Sequence, residues 1–284
     1  MADKVTVPMV RARKGGSKIK MITAYDTPTA RIADSAGADI ILVGDSMANA
    51  VLGFETTLQV TVDMMAHHCA AVARARPRAL VVADMPWLSY HTSVDEAVRN
   101  AGRFLREGGA GAVKLEGGRK RLPVVQALLD AEIPVMAHLG LTPQSVLRMG
   151  GYRVQGRELD AAREMVQDAA ALDAAGVFSI VLEGVPTPLA KVITDEVGVP
   201  TIGIGAGPGV DGQVLVIHDL LGLHDGPQPR FVRLYANLFA DAVKALEEWF
   251  ADVEAGRYPS EEESYRMPEE VARELRSEVD RSGS

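Results

Sequence analysis

The sequence predicts a closed (β/α)8 barrel on three observations. Strand-like and helix-like segments alternate from residue 20 to about 220, as parallel α/β architectures require. The strand-like segments are short and almost continuously apolar, which suits strands covered on both faces. Eight such units fall within roughly 200 residues, and eight is the number that closes a barrel. An open doubly wound sheet satisfies the first two observations. It is disfavoured because the strands with polar ends are consecutive, with no switch point among them.

The strands are expected at 19–23, 40–46, 80–84, 112–116, 134–138, 179–183, 200–204 and 213–217. Asp26-Thr27-Pro28 after the first strand is a helix start, with a capping residue ahead of proline. Helical stretches are expected at 93–107, 157–175 and 189–197, with Gly108, Gly176 and Gly198 as stop signals. Segments 47–60 and 139–155 are long connections on the rim where barrels carry their sites. They are lids or plain surface insertions. Phe231, Leu234, Tyr235, Leu238, Phe239, Val243, Leu246 and Phe250 align along an amphipathic helix over 231–253, the last barrel helix or an oligomer contact. The domain reading is a catalytic barrel over 1–258 and a charged C-terminal extension over 259–284. The extension is a solvated helix or a partly disordered tail.

Composition excludes some classes of function. The chain has 284 residues, 47% hydrophobic and 24% charged, with net charge −8. An acidic chain lacks the basic surface that nucleic acid or an anionic membrane would need. No run of about 20 residues is apolar and free of charge, so no membrane span is expected. Met1-Ala2-Asp3-Lys4 lacks an apolar signal core, and a cytoplasmic location is expected by default. The single cysteine, Cys69, lies in a helix-like stretch and reads as a buried structural thiol. His67 and His68 are helix neighbours pointing about 100° apart, a poor joint ligand set.

Five consecutive strands end on residues that carry chemistry: Asp45, Asp84, Glu116, His138 and Glu183. Asp45, Asp84 and Glu116 end strands two to four, and neighbouring strands lie about 4.8 Å apart. Three carboxylates so close repel one another unless a cation lies between them, and Mg²⁺ suits their oxygen donors. Acids paired with arginines, or simply solvated, are the alternative. Lys114 stands two residues before Glu116 and therefore faces the same side of its strand. It suits an anionic substrate or an enolate oxygen, or a structural ion pair. Glu183 precedes the apolar Gly184-Val185-Pro186. Desolvation there would raise its pKa and make it a better base near neutrality. His138 either bonds a substrate oxygen or caps its strand. The loop Gly203-Ile204-Gly205-Ala206-Gly207-Pro208-Gly209 binds phosphate or lets the backbone approach a flat ring or a substrate closely. The chemistry these residues favour is cation-assisted proton removal α to the carbonyl of an oxo acid.

Seven motifs carry a more specific resemblance. They are Thr23-Ala24-Tyr25-Asp26, Val43-Gly44-Asp45-Ser46, Asp84-Met85-Pro86, Val113-Lys114-Leu115-Glu116-Gly117-Gly118, Gly140-Leu141-Thr142-Pro143-Gln144, Gly150-Gly151-Tyr152-Arg153-Val154-Gln155-Gly156 and Gly203-Ile204-Gly205-Ala206-Gly207. In this order, over about 5–265, they resemble the ketopantoate hydroxymethyltransferase family. The resemblance implies a TIM barrel of the phosphoenolpyruvate mutase/isocitrate lyase type. It implies transfer of a hydroxymethyl group from 5,10-methylenetetrahydrofolate to 3-methyl-2-oxobutanoate, giving 2-dehydropantoate for pantothenate biosynthesis through a Mg²⁺-stabilised enolate. It places Asp45, Asp84 and Glu116 at Mg²⁺, with Glu116 acting through water. Asp45, Ser46, Asp84 and Lys114 would contact the oxo acid, His138 would line the same pocket, and Glu183 would be the general base. It also implies a homo-oligomer, often a decamer.

Overall fold

A computed structural model describes residues 3–282. Eight strands form the sheet: β1 (Ile19–Thr23), β2 (Ile40–Val43), β3 (Leu80–Asp84), β4 (Ala112–Glu116), β5 (Val135–Gly140), β6 (Ser179–Glu183), β7 (Thr201–Ile204) and β8 (Gly212–Leu215). Each pairs in parallel with its sequence neighbour, and β1 pairs with β8 to close the barrel. The fold class is the expected one.

Alternation along the strands sorts the core into two layers. Ile19, Met21, Ile40, Leu42, Leu80, Val82, Ala112, Met136, Val181, Ile202 and Val214 fill the interior. Their neighbours, including Ile41, Val43, Val81, Val113, Leu115, Ile180 and Leu182, face outward against the helices. The short helix Val7–Arg11 adds Val10 to the interior cluster. Val5 N–H donates to Arg78 O at 2.8 Å, so this segment lies under the end where β3 begins.

Local signals set the helices. Asp26 and Thr29 form a capping box for Thr27–Ser35. Thr61 caps Val62–Arg74, and Ser93 caps Val94–Arg106. Gly176, left-handed at φ 102°, ends Leu159–Ala175. Cys69 is buried, and burial pushes its thiol pKa up, which suits the structural role expected. His68 Nδ1 lies 2.7 Å from Tyr25 O and so has a structural partner.

Several sequence expectations move. The eighth strand is Gly212–Leu215, because Ile217 already opens a helix, its N–H bonded to Thr23 Oγ1 at 3.1 Å. The helix expected from Phe231 begins at Leu238, capped by Asn237. Pro227 and Pro229 precede it, and Val232 N–H bonds Pro229 O in a turn instead. The chain divides into compact units 1–236 and 237–284, whereas the sequence reading set the boundary at 258. Within the second unit lie helices Leu238–Glu254 and Glu269–Ser282, the latter inside the charged tail. No helix among the described residues is long and apolar enough to cross a membrane.

Candidate active site

The barrel interior changes character along its axis. In β3 the inward series runs Leu80, Val82, Asp84. In β4 it runs Ala112, Lys114, Glu116, in β5 Met136, His138, and in β6 Val181, Glu183. Each strand therefore presents apolar side chains first and an ionisable one at its C-terminal end. Register brings these ends level: Asp84 pairs with Lys114, Glu116 with His138, and Gly140 with Glu183. Asp45 follows β2 after Gly44.

The side chains form one network. Lys114 Nζ lies 2.9 Å from Asp84 Oδ1, off the direction of a hydrogen bond, so the contact is one of charges. Asp84 Oδ2 accepts from Asp45 N–H at 3.2 Å. Lys114 Nζ is also 3.3 Å from His138 Nδ1. A lysine has only donors, so Nδ1 accepts and the imidazole proton sits on Nε2. Nε2 faces Glu183 Oε2 at 3.3 Å. Ser46 Oγ stands 2.9 Å from the buried Tyr25 hydroxyl.

Burial sets the electrostatics. Asp45 is pushed up to about 7, by desolvation first and then by Asp84, against the pull of Lys114. Desolvation, then Asp45, holds Glu116 well above the usual carboxylate range. Burial would lower the Lys114 pKa, but Asp84, Glu116 and Asp45 outweigh it and raise it. Desolvation, followed by Lys114, lowers His138, which keeps the ring neutral. Glu183 is the least buried of the six ionisable residues, its side chain 18% exposed.

A cavity of about 350 Å³ is lined by Asp45, Ser46, Asp84, Lys114, Glu116, His138 and Glu183 together. The structure thus gathers every residue singled out from the sequence. It adds Gln144 and Tyr90. Gln144 Nε2 donates to Asp45 Oδ2 and Met85 O, each at 2.9 Å, and its backbone N–H donates to Glu116 Oε2 at 3.1 Å. Tyr90 OH donates to Gln144 Oε1 at 2.6 Å and accepts from Glu116 N–H at 3.2 Å. Gln144 lies in the expected rim segment 139–155, whose turn Pro143–Ser145 packs on the turn Thr57–Gln59 of the other long segment. Both segments wall the cavity, through Asn49 and Thr57 on one side and Leu141, Pro143 and Tyr152 on the other.

Among the described residues, no three histidine, cysteine, aspartate or glutamate side chains converge to hold a metal ion by themselves. The acids still fit Mg²⁺ in its usual protein mode, which takes one or two carboxylates and fills the remaining positions with water and substrate. Among the described residues, Glu116 Oε1 is buried without a hydrogen-bond donor and Asp84 Oδ1 has only the Lys114 ammonium beside it, while Lys114 faces Asp84, Glu116 and Asp45 together. In the loop after β7, Gly205 is needed for close packing. A Cβ there would come within 3.0 Å of the Phe231 ring.

A family model described as ketopantoate hydroxymethyltransferase matches residues 4–261. The chain belongs to the ketopantoate hydroxymethyltransferase family. It is an enzyme of the hydroxymethyltransferase class. It is 56% identical over 269 residues to the 3-methyl-2-oxobutanoate hydroxymethyltransferase of Syntrophomonas wolfei, covering 94% of this chain and 98% of that one. It is also 56% identical to the enzyme of that name from Moorella thermoacetica, over 93% of this chain and 98% of the relative. Among solved structures, the fold resembles 2,3-dimethylmalate lyase, a phosphoenolpyruvate mutase/isocitrate lyase superfamily member. The TM-score is 0.58 with 19% identity, covering 99% of each chain. Phosphonopyruvate hydrolase matches at TM-score 0.59 and 15% identity, over 98% of this chain and 97% of that one.

Proposed function

We propose that this family member transfers a hydroxymethyl group from 5,10-methylenetetrahydrofolate to 3-methyl-2-oxobutanoate, giving 2-dehydropantoate in pantothenate biosynthesis. One observation carries the reading: near-complete alignment at 56% identity with enzymes named for that oxo acid. The cavity chemistry supports it. Lys114 offers a fixed positive charge to the acid's oxygens, and Ser46 offers a hydroxyl beside them. Glu183 takes the proton from C3, which leaves an enolate. His138, neutral and holding its Nε2 proton toward Glu183, orients that carboxylate and lowers the barrier to charge separation. The C3 carbanion takes the donor's one-carbon unit; both methylene C–N bonds break, water supplies the hydroxyl group, and the two folate nitrogens take up the proton held by Glu183 and the second proton of that water as tetrahydrofolate leaves.

Mg²⁺ bound by Asp45 and Asp84, with Glu116 acting through water, would polarise the keto oxygen and stabilise the negative charge left by proton removal. A homo-oligomer of the decameric kind and a cytoplasmic site of action belong to the same proposal. Exposed Phe239, Val243, Leu246 and Phe250 on helix Leu238–Glu254 suit a subunit contact. Light scattering of the purified chain reads the subunit count.

Deuterium exchange at C3 of 3-methyl-2-oxobutanoate tests the central step, with and without Mg²⁺ and folate. The expected result is exchange that needs Mg²⁺ and falls roughly 10²–10⁴-fold in Glu183→Gln. Equal exchange in that variant removes Glu183 as the base.

A further inference from the structure

The catalytic cavity does not end at the oxo-acid residues. Its volume lies in the range that takes drug-sized ligands, so a five-carbon acid fills only part of it. A second groove of about 410 Å³ opens beside it, and the two share Ser46, Asn49, Val216, Asp219 and Pro229. Asp219 stands at this joint, on the helix Ile217–Leu221 after β8.

The surroundings of Asp219 are built rather than loose. Gly226 N–H donates to His224 Nδ1 at 3.0 Å, which leaves the imidazole proton on Nε2. Nε2 donates it to Asp219 Oδ1 at 3.1 Å. Gln228 Nε2 bonds the Asp219 carbonyl at 3.2 Å. Asp219 is thereby held in place while its Oδ2 keeps no donor among the described residues. Phe231 also lines the catalytic cavity. Its ring lies on Gly205 and is 43% exposed.

We propose that this joint seats the flat head of the one-carbon donor, a 2-amino-4-oxopteridine. Asp219 takes the adjacent N–H groups of its pyrimidine edge, and Phe231 supplies an aromatic face. A carboxylate offers two acceptors in a fork that matches two neighbouring N–H donors, and a heteroaromatic ring stacks on an exposed aromatic side chain. The sign of the charge orients the ligand. Asp219 and Asp225 in the groove repel an anionic glutamate tail, so the tail points outward while the head approaches the oxo-acid end. The assignment rests on the folate-dependent reading given above.

Two measurements on the full-length enzyme test it: binding of tetrahydrofolate by titration calorimetry, and steady-state KM for each substrate. In Asp219→Asn, the Kd for tetrahydrofolate and the KM for the methylene donor should rise about tenfold, the loss of one matched, charge-assisted hydrogen bond at a half-buried site. The KM for the oxo acid and the folate-free C3 exchange should stay within about twofold. Phe231→Ala should weaken tetrahydrofolate binding several-fold, and Phe231→Tyr should restore it. Unchanged donor affinity in Asp219→Asn overturns the assignment. So does loss of C3 exchange in that variant, which would place Asp219 with the oxo acid or the fold. If the wild-type enzyme exchanges C3 but neither binds tetrahydrofolate nor uses the methylene donor, the folate reading itself fails and this assignment falls with it.

Discussion

The Tyr90 hydroxyl lies 2.6 Å from Gln144 Oε1, and both residues are buried. Through that bond a side chain outside the catalytic cavity supports two acids inside it, since Gln144 holds both Asp45 and Glu116. Tyr90→Phe should leave the Gln144 acceptor and the Glu116 N–H unpaired, at a cost of about 1–3 kcal/mol. The denaturation midpoint should fall with an unchanged m-value. C3 exchange should fall as well, because Asp45 and Glu116 lose their common brace. An unchanged midpoint would mean that Gln144 finds another donor.

Gly140 faces Glu183 across β5 and β6, at φ 95°. A Cβ at this position would stand 2.2 Å from Glu183 O and 2.6 Å from Val185 Cγ2. Gly140→Ala therefore has to push the end of β6 away and adopt a backbone that alanine disfavours. A loss of roughly 2–4 kcal/mol is expected, together with a large drop in exchange, because the displaced strand carries Glu183, the proposed base. Wild-type exchange at a lowered melting temperature would show that Glu183 tolerates the shift.

Asp45 sets a pH signature. Its folded pKa is raised to about 7, so between about pH 4 and 7 the metal-free folded protein holds a proton that the unfolded chain has released. Stability from this group is therefore intact at low pH and falls as pH rises through that window. Asp45→Asn removes the penalty. The metal-free variant should be more stable than wild type at pH 8, by up to roughly 4 kcal/mol at 1.36 kcal/mol per pKa unit, and close to wild type below pH 4. Denaturant titrations at the two pH values measure the difference. Equal gains at both would assign the effect to packing instead. Transfer activity should be lost at either pH.

Mg²⁺ should act with the opposite pH trend. A cation held there as proposed would compete with protons for Asp45 and its neighbours, so its binding would strengthen as they ionise. Millimolar Mg²⁺ should raise the melting temperature by several degrees at pH 8 and by less at pH 5.5. Asp84→Ala should abolish the shift. A shift that persists in that variant would move the ion away from Asp84.

Much of this was legible because polarity and strand order coincide. An acid at the end of an apolar run needs no knowledge of loops, so Asp84, Glu116 and Glu183 could be placed from the chain itself. Lys114 followed from strand alternation alone. Gln144 and Tyr90 were not legible as a pair. They lie 54 residues apart, in loops without periodicity, and only the folded rim brings them together. The motif Gly140-Leu141-Thr142-Pro143-Gln144 held the signal for Gln144 without indicating a contact. Phe231 fitted a helical stripe by spacing, but two nearby prolines and the open face of Gly205 drew it into the barrel mouth.

The pairing of β1 with β8 joins residues 19–22 to residues 212–215. The segment synthesised first must therefore wait for one made almost two hundred residues later before the ring can seal. Such distant partners make assembly slow and leave an unpaired edge on the nascent chain. Once residue 183 has left the ribosome, the polypeptide carries Asp45, Asp84, Glu116 and Glu183 with no closed wall to hold them apart from water.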